Sequence, residues 1–275
     1  MGTPADLPPL RDVIHDFGLG ARKSLGQHFL LDGNLTGRIA RAADPLGGVN
    51  VIEIGPGPGG LTRALLASDA DAVWAVEKDT RCIAALGILQ SAYPGRLHIL
   101  EADALETDLV ALTPAPRAIV ANLPYNVSTV LLLQWLRRAD QFTHMVLMFQ
   151  KEVADRLTAA PGSKAYGRLS VITQWRAQVR PLFNVSKEAF TPPPKVASTV
   201  VEVIPRAAPL APAVMTDLEK VTQAAFGQRR KMLRSSLKSI GLDPAQVGIN
   251  PEARAEDLSV EEFCALARQL TERDA

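Results

Sequence analysis

Four short stretches place polar side chains where an apolar run stops. The run at Val51-Ile52 leads into Glu53-Ile54-Gly55-Pro56-Gly57-Pro58-Gly59-Gly60, and Ala72 to Val76 ends at Glu77. Leu97 to Leu100 runs into Glu101-Ala102-Asp103-Ala104, and Ala118 to Ala121 ends in Asn122-Leu123-Pro124-Tyr125-Asn126. Glycines after a strand let the backbone turn tightly and approach a ligand. Gly55, Gly57 and Gly60 satisfy the dinucleotide pattern GxGxxG, while Gly55, Gly57 and Gly59 also satisfy the looser E-x-G-x-G-x-G loop. Pro56 and Pro58 carry no N–H. A pyrophosphate needs converging backbone donors at a helix start, so this loop is a poor phosphate cradle.

S-adenosylmethionine carries no phosphate, and Glu53 supplies an acid beside the loop for its ammonium. Glu77 lies 18 residues beyond Gly59. A carboxylate there accepts from ribose hydroxyls, which serves NAD and S-adenosylmethionine alike. Asp103 is placed to accept from an adenine amino group. Either acid alone reads more readily as a helix cap; in series after successive strands they point to a nucleoside.

The stretch from Asn122 to Asn126 suits a different partner, an exocyclic amine on a base. Its lone pair is delocalised into the ring, so it is a poor nucleophile. Two acceptors on its N–H bonds, the Asn122 side-chain oxygen and a carbonyl near Leu123, would make the nitrogen more tetrahedral. Pro124 restricts Leu123 to extended geometry, and Tyr125 offers a flat face. This is positioning and electrostatic preorganisation. Extruding a base from its stack costs a few kcal/mol, against about 1–3 kcal/mol for one base–aromatic stack. Phe190, before the stiff Pro192-Pro193-Pro194, is the candidate for a second face. The bland alternative is an asparagine-capped turn. An asparagine left unpaired in a site costs about 1–3 kcal/mol, which favours a ligand partner.

The elements that must position these residues alternate. Residues 1–32 read as irregular. Helices are predicted at 34–43, 60–68, 80–92 and 127–138, and strands at 49–54, 72–76, 97–100, 117–121 and 144–149. Such alternation predicts an α/β fold, a parallel sheet with helices on both faces, with ligands at the carboxyl ends of the strands. Gly55, Glu77, Asp103 and Asn122 all fall there. Beyond 150 come further helices and strands at about 178–185 and 197–204. The proline-rich 205–213 reads as a linker, and 216–270 reads as helical. There Phe226, Leu233, Leu237 and Ile240 form one stripe, and Arg230, Arg234 and Lys238 a second at i, i+4, i+8. Two domains are expected, 1–206 carrying the ligand site and 207–275 helical.

The net charge of +1 does not mark a nucleic-acid binder, but its distribution does more. Arg229, Arg230, Lys231, Arg234 and Lys238 occur with no acid among them, whereas Pro251 onward holds seven acids against three arginines. A polyanion-facing side and a solvated side are one reading; two solvated helix faces are the other. No apolar run approaches the ~18 residues of a membrane span, no basic-then-apolar leader opens the chain, and Cys82 and Cys264 form no CxxC pair. The four histidines lack metal-ligand spacing, so no metal is expected. A cytoplasmic protein is expected.

The stretches KSLGQHFL, EIGPGPGGLT, VEKD, EADAL, ANLPYNVS, FTPPPKVAS and FGQRRKMLRSSL, in this order from about residue 20 onward, resemble the KsgA-type ribosomal RNA adenine dimethyltransferases. The resemblance implies a Rossmann-like class I methyltransferase sheet with a small C-terminal helical RNA-binding domain, acting as a monomer. It implies dimethylation of the N6 atoms of two adjacent adenosines near the 3′ end of small-subunit (16S) rRNA, from S-adenosylmethionine, during ribosome assembly. Carried over by position, Gln27, His28 and Leu30 would line the methionine end of the donor. Gly55 and Gly57 would form its loop, Glu77 would bind ribose, and Asp103 with Ala104 would meet adenine. Asn122 would touch donor and target amine, and Tyr125 and Phe190 would hold the base. Many members carry asparagine where His28 stands; imidazole still donates a hydrogen bond. Residues 1–20 form an extension without an assigned role. The alternatives are the macrolide-resistance relatives acting on large-subunit rRNA, an NAD-dependent dehydrogenase, and a non-catalytic RNA-binding assembly factor.

Overall fold

Four strands of the central sheet stop beside the polar residues marked above. The computed structural model of the chain describes residues 7–21, 26–228 and 230–274. In chain order the elements are α1 (Leu10–Asp16), β1 (Phe29–Leu30), α2 (Gly33–Arg41), β2 (Asn50–Ile54), α3 (Gly60–Leu66), β3 (Ala72–Glu77) and α4 (Thr80–Ala92). Then come β4 (Leu97–Glu101), α5 (Leu109–Leu112), β5 (Arg117–Asn122), α6 (Ser128–Leu136), β6 (His144–Gln150), α7 (Lys151–Leu157) and α8 (Arg168–Arg176). The remainder are β7 (Ala177–Val185), β8 (Phe190–Thr191), β9 (Ser198–Pro205), α9 (Met215–Phe226), α10 (Leu233–Ser236) and α11 (Val260–Asp274).

Among the described residues the main sheet has seven strands in the order β4-β3-β2-β5-β6-β9-β7. The five from β4 to β6 are parallel. All of β2 is buried, as a strand covered on both faces must be. These parallel strands are those expected from the strand–helix alternation, and the sheet continues with β9 antiparallel to β6, from Gln150 opposite Ser198 to Met145 opposite Val203. An antiparallel neighbour needs no crossover helix, so it leaves no strand–helix alternation to read. A separate pair, β1 with β8, sets Leu30 opposite Phe190. That pair ties the segment before the glycine loop to the triple-proline segment.

Side-chain caps fix where several helices begin. Asp32 accepts from Asn34 N, Asp79 from Arg81 N, and Asp108 from Val110 N and Ala111 N. Such caps satisfy donors that the first turn leaves open. Helix α3 instead starts after Gly59 at φ +92°, a conformation glycine adopts without strain.

By packing, the chain divides into one unit of residues 1–134, 140–151 and 180–204, and another of 135–139, 152–179 and 205–275. The expected boundary at 206 falls beside the last junction, but 152–179 groups with the C-terminal helices. The reason is that α8 buries Val171, Ile172 and Trp175 and packs against α9 and α11. One further expectation is corrected: within 1–32, residues 10–16 are helical. The helical stretch expected over 216–270 is made of α9, α10, short 3-10 turns and α11, with left-handed Gly241 (φ +67°) and Gly248 (φ +76°) before α11. Helix α11 opens on a reciprocal cap: Ser259 N donates to Glu262 Oε2 (2.7 Å), and Glu262 N to Ser259 Oγ (3.2 Å). No helix of the described residues is long and apolar enough to cross a membrane.

Candidate active site

A pocket of about 280 Å³ opens at the carboxyl ends of β2, β3, β4 and β5. Its walls include Gln27, His28, Leu30, Gly55, Gly57, Glu77, Asp103, Ala104 and Asn122, together with Tyr125. The donor residues expected from the sequence are thus brought together in one place. Phe190 is not on the wall.

Backbone geometry and one carboxylate hold the glycine loop. Gly55 (φ +67°) and Gly57 (φ +56°) are both left-handed. Gly57 N donates to Glu77 Oε2 at 3.0 Å, while Lys78 N and Asp79 N donate to Glu77 Oε1 at 2.8 Å each. Burial raises the Glu77 pKa, and these three N–H groups oppose that rise. Glu77 therefore sets the shape of the loop, and each oxygen keeps lone-pair capacity for a hydroxyl. Asp103 accepts from Lys78 Nζ (2.6 Å) and Leu105 N (3.0 Å), and Lys78 holds it below the usual carboxylate range. Gln27 Nε2 donates to Asp79 Oδ2 (3.1 Å). Asp79 is held at about 2, chiefly by Arg81.

Glu53 is 1% exposed, and its Oε2 has no hydrogen-bond partner among the described residues. Burial pushes its carboxyl up to about 8; the Thr62 hydroxyl beside it works against the shift, and Glu77 adds to it. A neutral acid with an unsatisfied oxygen on a pocket wall accommodates a cation, because ionising beside one costs less than ionising alone. The sequence placed an acid here but not its protonation, which follows from enclosure by residues distant in the chain. Lys78 was likewise missed as the partner of Asp103, although it lies in the VEKD stretch.

The N-terminal segment reaches the pocket through a close backbone approach. A Cβ on Gly60 would lie 2.4 Å from the Leu30 carbonyl oxygen. Beyond that contact, Asn122 Nδ2 donates to the His28 carbonyl at 3.0 Å, which leaves Oδ1 as the acceptor end of the amide. Tyr125 Oη and Ser198 Oγ are 2.6 Å apart, which fixes the phenol against a fully buried serine. The His28 ring stacks on Tyr125 and meets Phe190 edge-on. Phe190 is 2% exposed and packed in the main core cluster. The expected second stacking face is therefore turned into the core, because β8 pairs with β1 and carries its ring inward.

The basic residues lie in the helical unit. Arg229 falls outside the described residues. Arg230 and Lys231 are exposed in the turns after α9, Arg234 lies on α10, and Lys238 on a following 3-10 turn. They do not form a stripe on one long helix as expected, because the helix ends at Phe226. Arg234 Nη1 lies 3.5 Å from Glu252 Oε1, with both side chains more than half exposed. Leu233 and Leu237 are buried beneath them, as the apolar spacing implied.

Residues 18–272 match the family described as ribosomal RNA adenine dimethylase. The chain is 66% identical over 272 residues to a ribosomal RNA small subunit methyltransferase A of Paramagnetospirillum magneticum, covering 98% of this chain and 97% of that one. Among solved structures it resembles a dimethyladenosine transferase from Plasmodium falciparum, with TM-score 0.76 and 26% identity over 90% of this chain and 98% of that one. It also resembles the 23S rRNA methyltransferase ErmE, with TM-score 0.66 and 25% identity over 88% of this chain and 99% of that one. The α/β sheet and its glycine loop are thus those of a class I RNA methyltransferase, and the chain belongs to the ribosomal RNA adenine dimethylase family.

Proposed function

We propose that the chain uses S-adenosylmethionine to dimethylate the N6 atoms of two adjacent adenosines near the 3′ end of small-subunit rRNA. It acts as a cytoplasmic monomer during small-subunit assembly. The observation that carries this reading is the convergence of the glycine loop, Glu77, Asp103 and Asn122 on one pocket, with the amide of Asn122 already oriented. The printed name of the 66% identical relative favours the small subunit over the large.

Bound in the pocket, S-adenosylmethionine supplies an electrophilic methyl group on a sulfonium. Glu53 offers counter-charge on the wall, Glu77 accepts from the ribose, and Asp103 with Ala104 meets the adenine. Asn122 Nδ2 is engaged by His28, so Oδ1 accepts a hydrogen bond from one N6–H of the target. The Leu123 carbonyl accepts a hydrogen bond from the other N6–H, at a residue that Pro124 confines to extended backbone. Two acceptors favour a pyramidal nitrogen with its lone pair localised. Tyr125, fixed by Ser198, orients the base. The N6 proton becomes acidic once the nitrogen is alkylated and leaves to water. The exposed cations of the helical unit contact RNA phosphates.

The test is transfer of labelled methyl groups to small subunits lacking the modification, with the positions mapped and isolated large subunits as control. Two dimethylated neighbouring adenosines in the small subunit are expected. Labelling of large subunits instead would move the chain to the macrolide-resistance type, and no transfer to either would return it to an assembly factor.

A further inference from the structure

His28 does more than line the donor pocket. Its backbone alone serves Asn122, through the carbonyl. Its imidazole lies over Tyr125, with centroids 5.5 Å apart and planes 27° from parallel. The same ring meets Phe190 at 6.4 Å and 81°. His28 Nδ1 is 2.8 Å from the carbonyl oxygen of Pro192, a hydrogen bond spanning 164 positions of sequence. One flat ring with in-plane donor and acceptor nitrogens thus occupies the space against Tyr125, the aromatic side chain on the pocket wall, with the buried Phe190 at its edge. Nothing in methyl transfer requires an imidazole there.

Resting on the function proposed above, we propose that the His28 ring is a placeholder for the target base. Before the base enters, it covers the face of Tyr125, keeping apolar surface from water. It swings aside when adenine enters, giving up its bond to Pro192. The backbone carbonyl stays on Asn122, so the acceptor oxygen that meets N6 is undisturbed. Adenine is larger, and its stack on Tyr125 replaces the imidazole contact. His28 is therefore a positioning residue that sets the threshold for base entry.

The experiment compares the full-length protein with His28→Asn and His28→Ala. With immature small subunits as substrate, both variants are expected to show KM for the subunit lowered by roughly two- to tenfold, the range one aromatic contact spans. The effect should fall mainly on KM for the subunit, with any change in kcat or in calorimetric affinity for S-adenosylmethionine smaller than the change in KM. A raised or unaltered KM, or a loss of donor affinity larger than the change in KM, would overturn the proposal and make His28 a substrate or donor ligand. A second readout needs no turnover. The protein is saturated with S-adenosylhomocysteine and titrated with AMP, while the histidine Cε1–H resonances are followed by NMR, that of His28 being assigned by its loss in His28→Asn. The His28 signal should move away from its ring-shifted position while those of His15, His98 and His144 stay. A His28 signal that stays put would sink the placeholder even if methyl transfer is found. Movement of that signal without methyl transfer would leave the placeholder standing and sink the proposed reaction.

Discussion

The two packing units hold charge in opposite ways. In the sheet unit, the groups that matter are enclosed and shifted: Glu53 is pushed up to about 8 and Asp79 held at about 2. Each has a fixed partner or a fixed lack of one. In the helical unit, Arg230, Lys231, Arg234 and Lys238 project into solvent, and the Arg234–Glu252 pair is mostly exposed. Exposed pairs of that kind contribute about 0–1 kcal/mol. The first arrangement works by position and the second by summed charge. A change in the first should therefore act abruptly on one step, and a change in the second gradually on encounter with RNA.

Four measurements would break or sharpen that contrast. Asn122→Ala removes the oriented acceptor, and transfer rate should fall by about 10²–10³-fold, the cost of losing one preorganised polar group. RNA binding measured by filter retention should stay within a few-fold; a parallel loss of binding would blur the division of labour. Glu53→Gln tests enclosure. The native state of the donor-free protein holds the Glu53 proton up to about pH 8, and the unfolded chain releases it in the ordinary carboxylate range. Native stability should therefore fall as pH rises between those limits, by at most about 1.4 kcal/mol per unit from this group. Urea denaturation at pH 5.5, 6.5 and 7.5 should show a flatter dependence in the glutamine variant. Replacing Arg230, Arg234 and Lys238 by glutamine should lessen the log–log salt dependence of RNA binding by roughly 0.7 per lost phosphate contact, with kcat retained. An unchanged slope would remove these residues from the RNA surface. The smallest effect is Tyr125→Phe, which keeps the ring and loses the bond to Ser198. A net hydrogen bond of about 0.5–1.5 kcal/mol predicts at most about a tenfold rise in KM for the subunit.

Strands β2, β3, β5 and β6 were legible because deep burial leaves largely apolar runs, β4 because Leu97, Ile99 and Leu100 persist at the sheet edge, and the glycine and polar punctuation gave the ends of β2 to β5. The donor residues followed from those ends. Three features lay beyond local pattern. Strand β9 is antiparallel by virtue of pairing, which composition does not encode. Phe190 reads as a binding aromatic, yet a two-residue strand carries it into the core beside Val185 and Val200. The helical stripe was drawn through Phe226 and Arg230, whereas the chain leaves the helix after Phe226 in a glycine-led turn. A Cβ on Gly227 would approach Gln223 O to 2.9 Å. Residues that depend on contacts across more than ninety positions, such as the Asn122 amide on the His28 carbonyl, leave no periodic trace in either segment.

The clearance at Gly60 bears on how the reaction tolerates change. With 2.4 Å between an added methyl carbon and the Leu30 oxygen, β1 rests on the bare backbone of α3. That spacing also sets the height of the His28 carbonyl and, through it, the angle of the Asn122 amide. An alanine at this spot would act as a shim under one jaw of a vice, loosening the grip on donor and acceptor together.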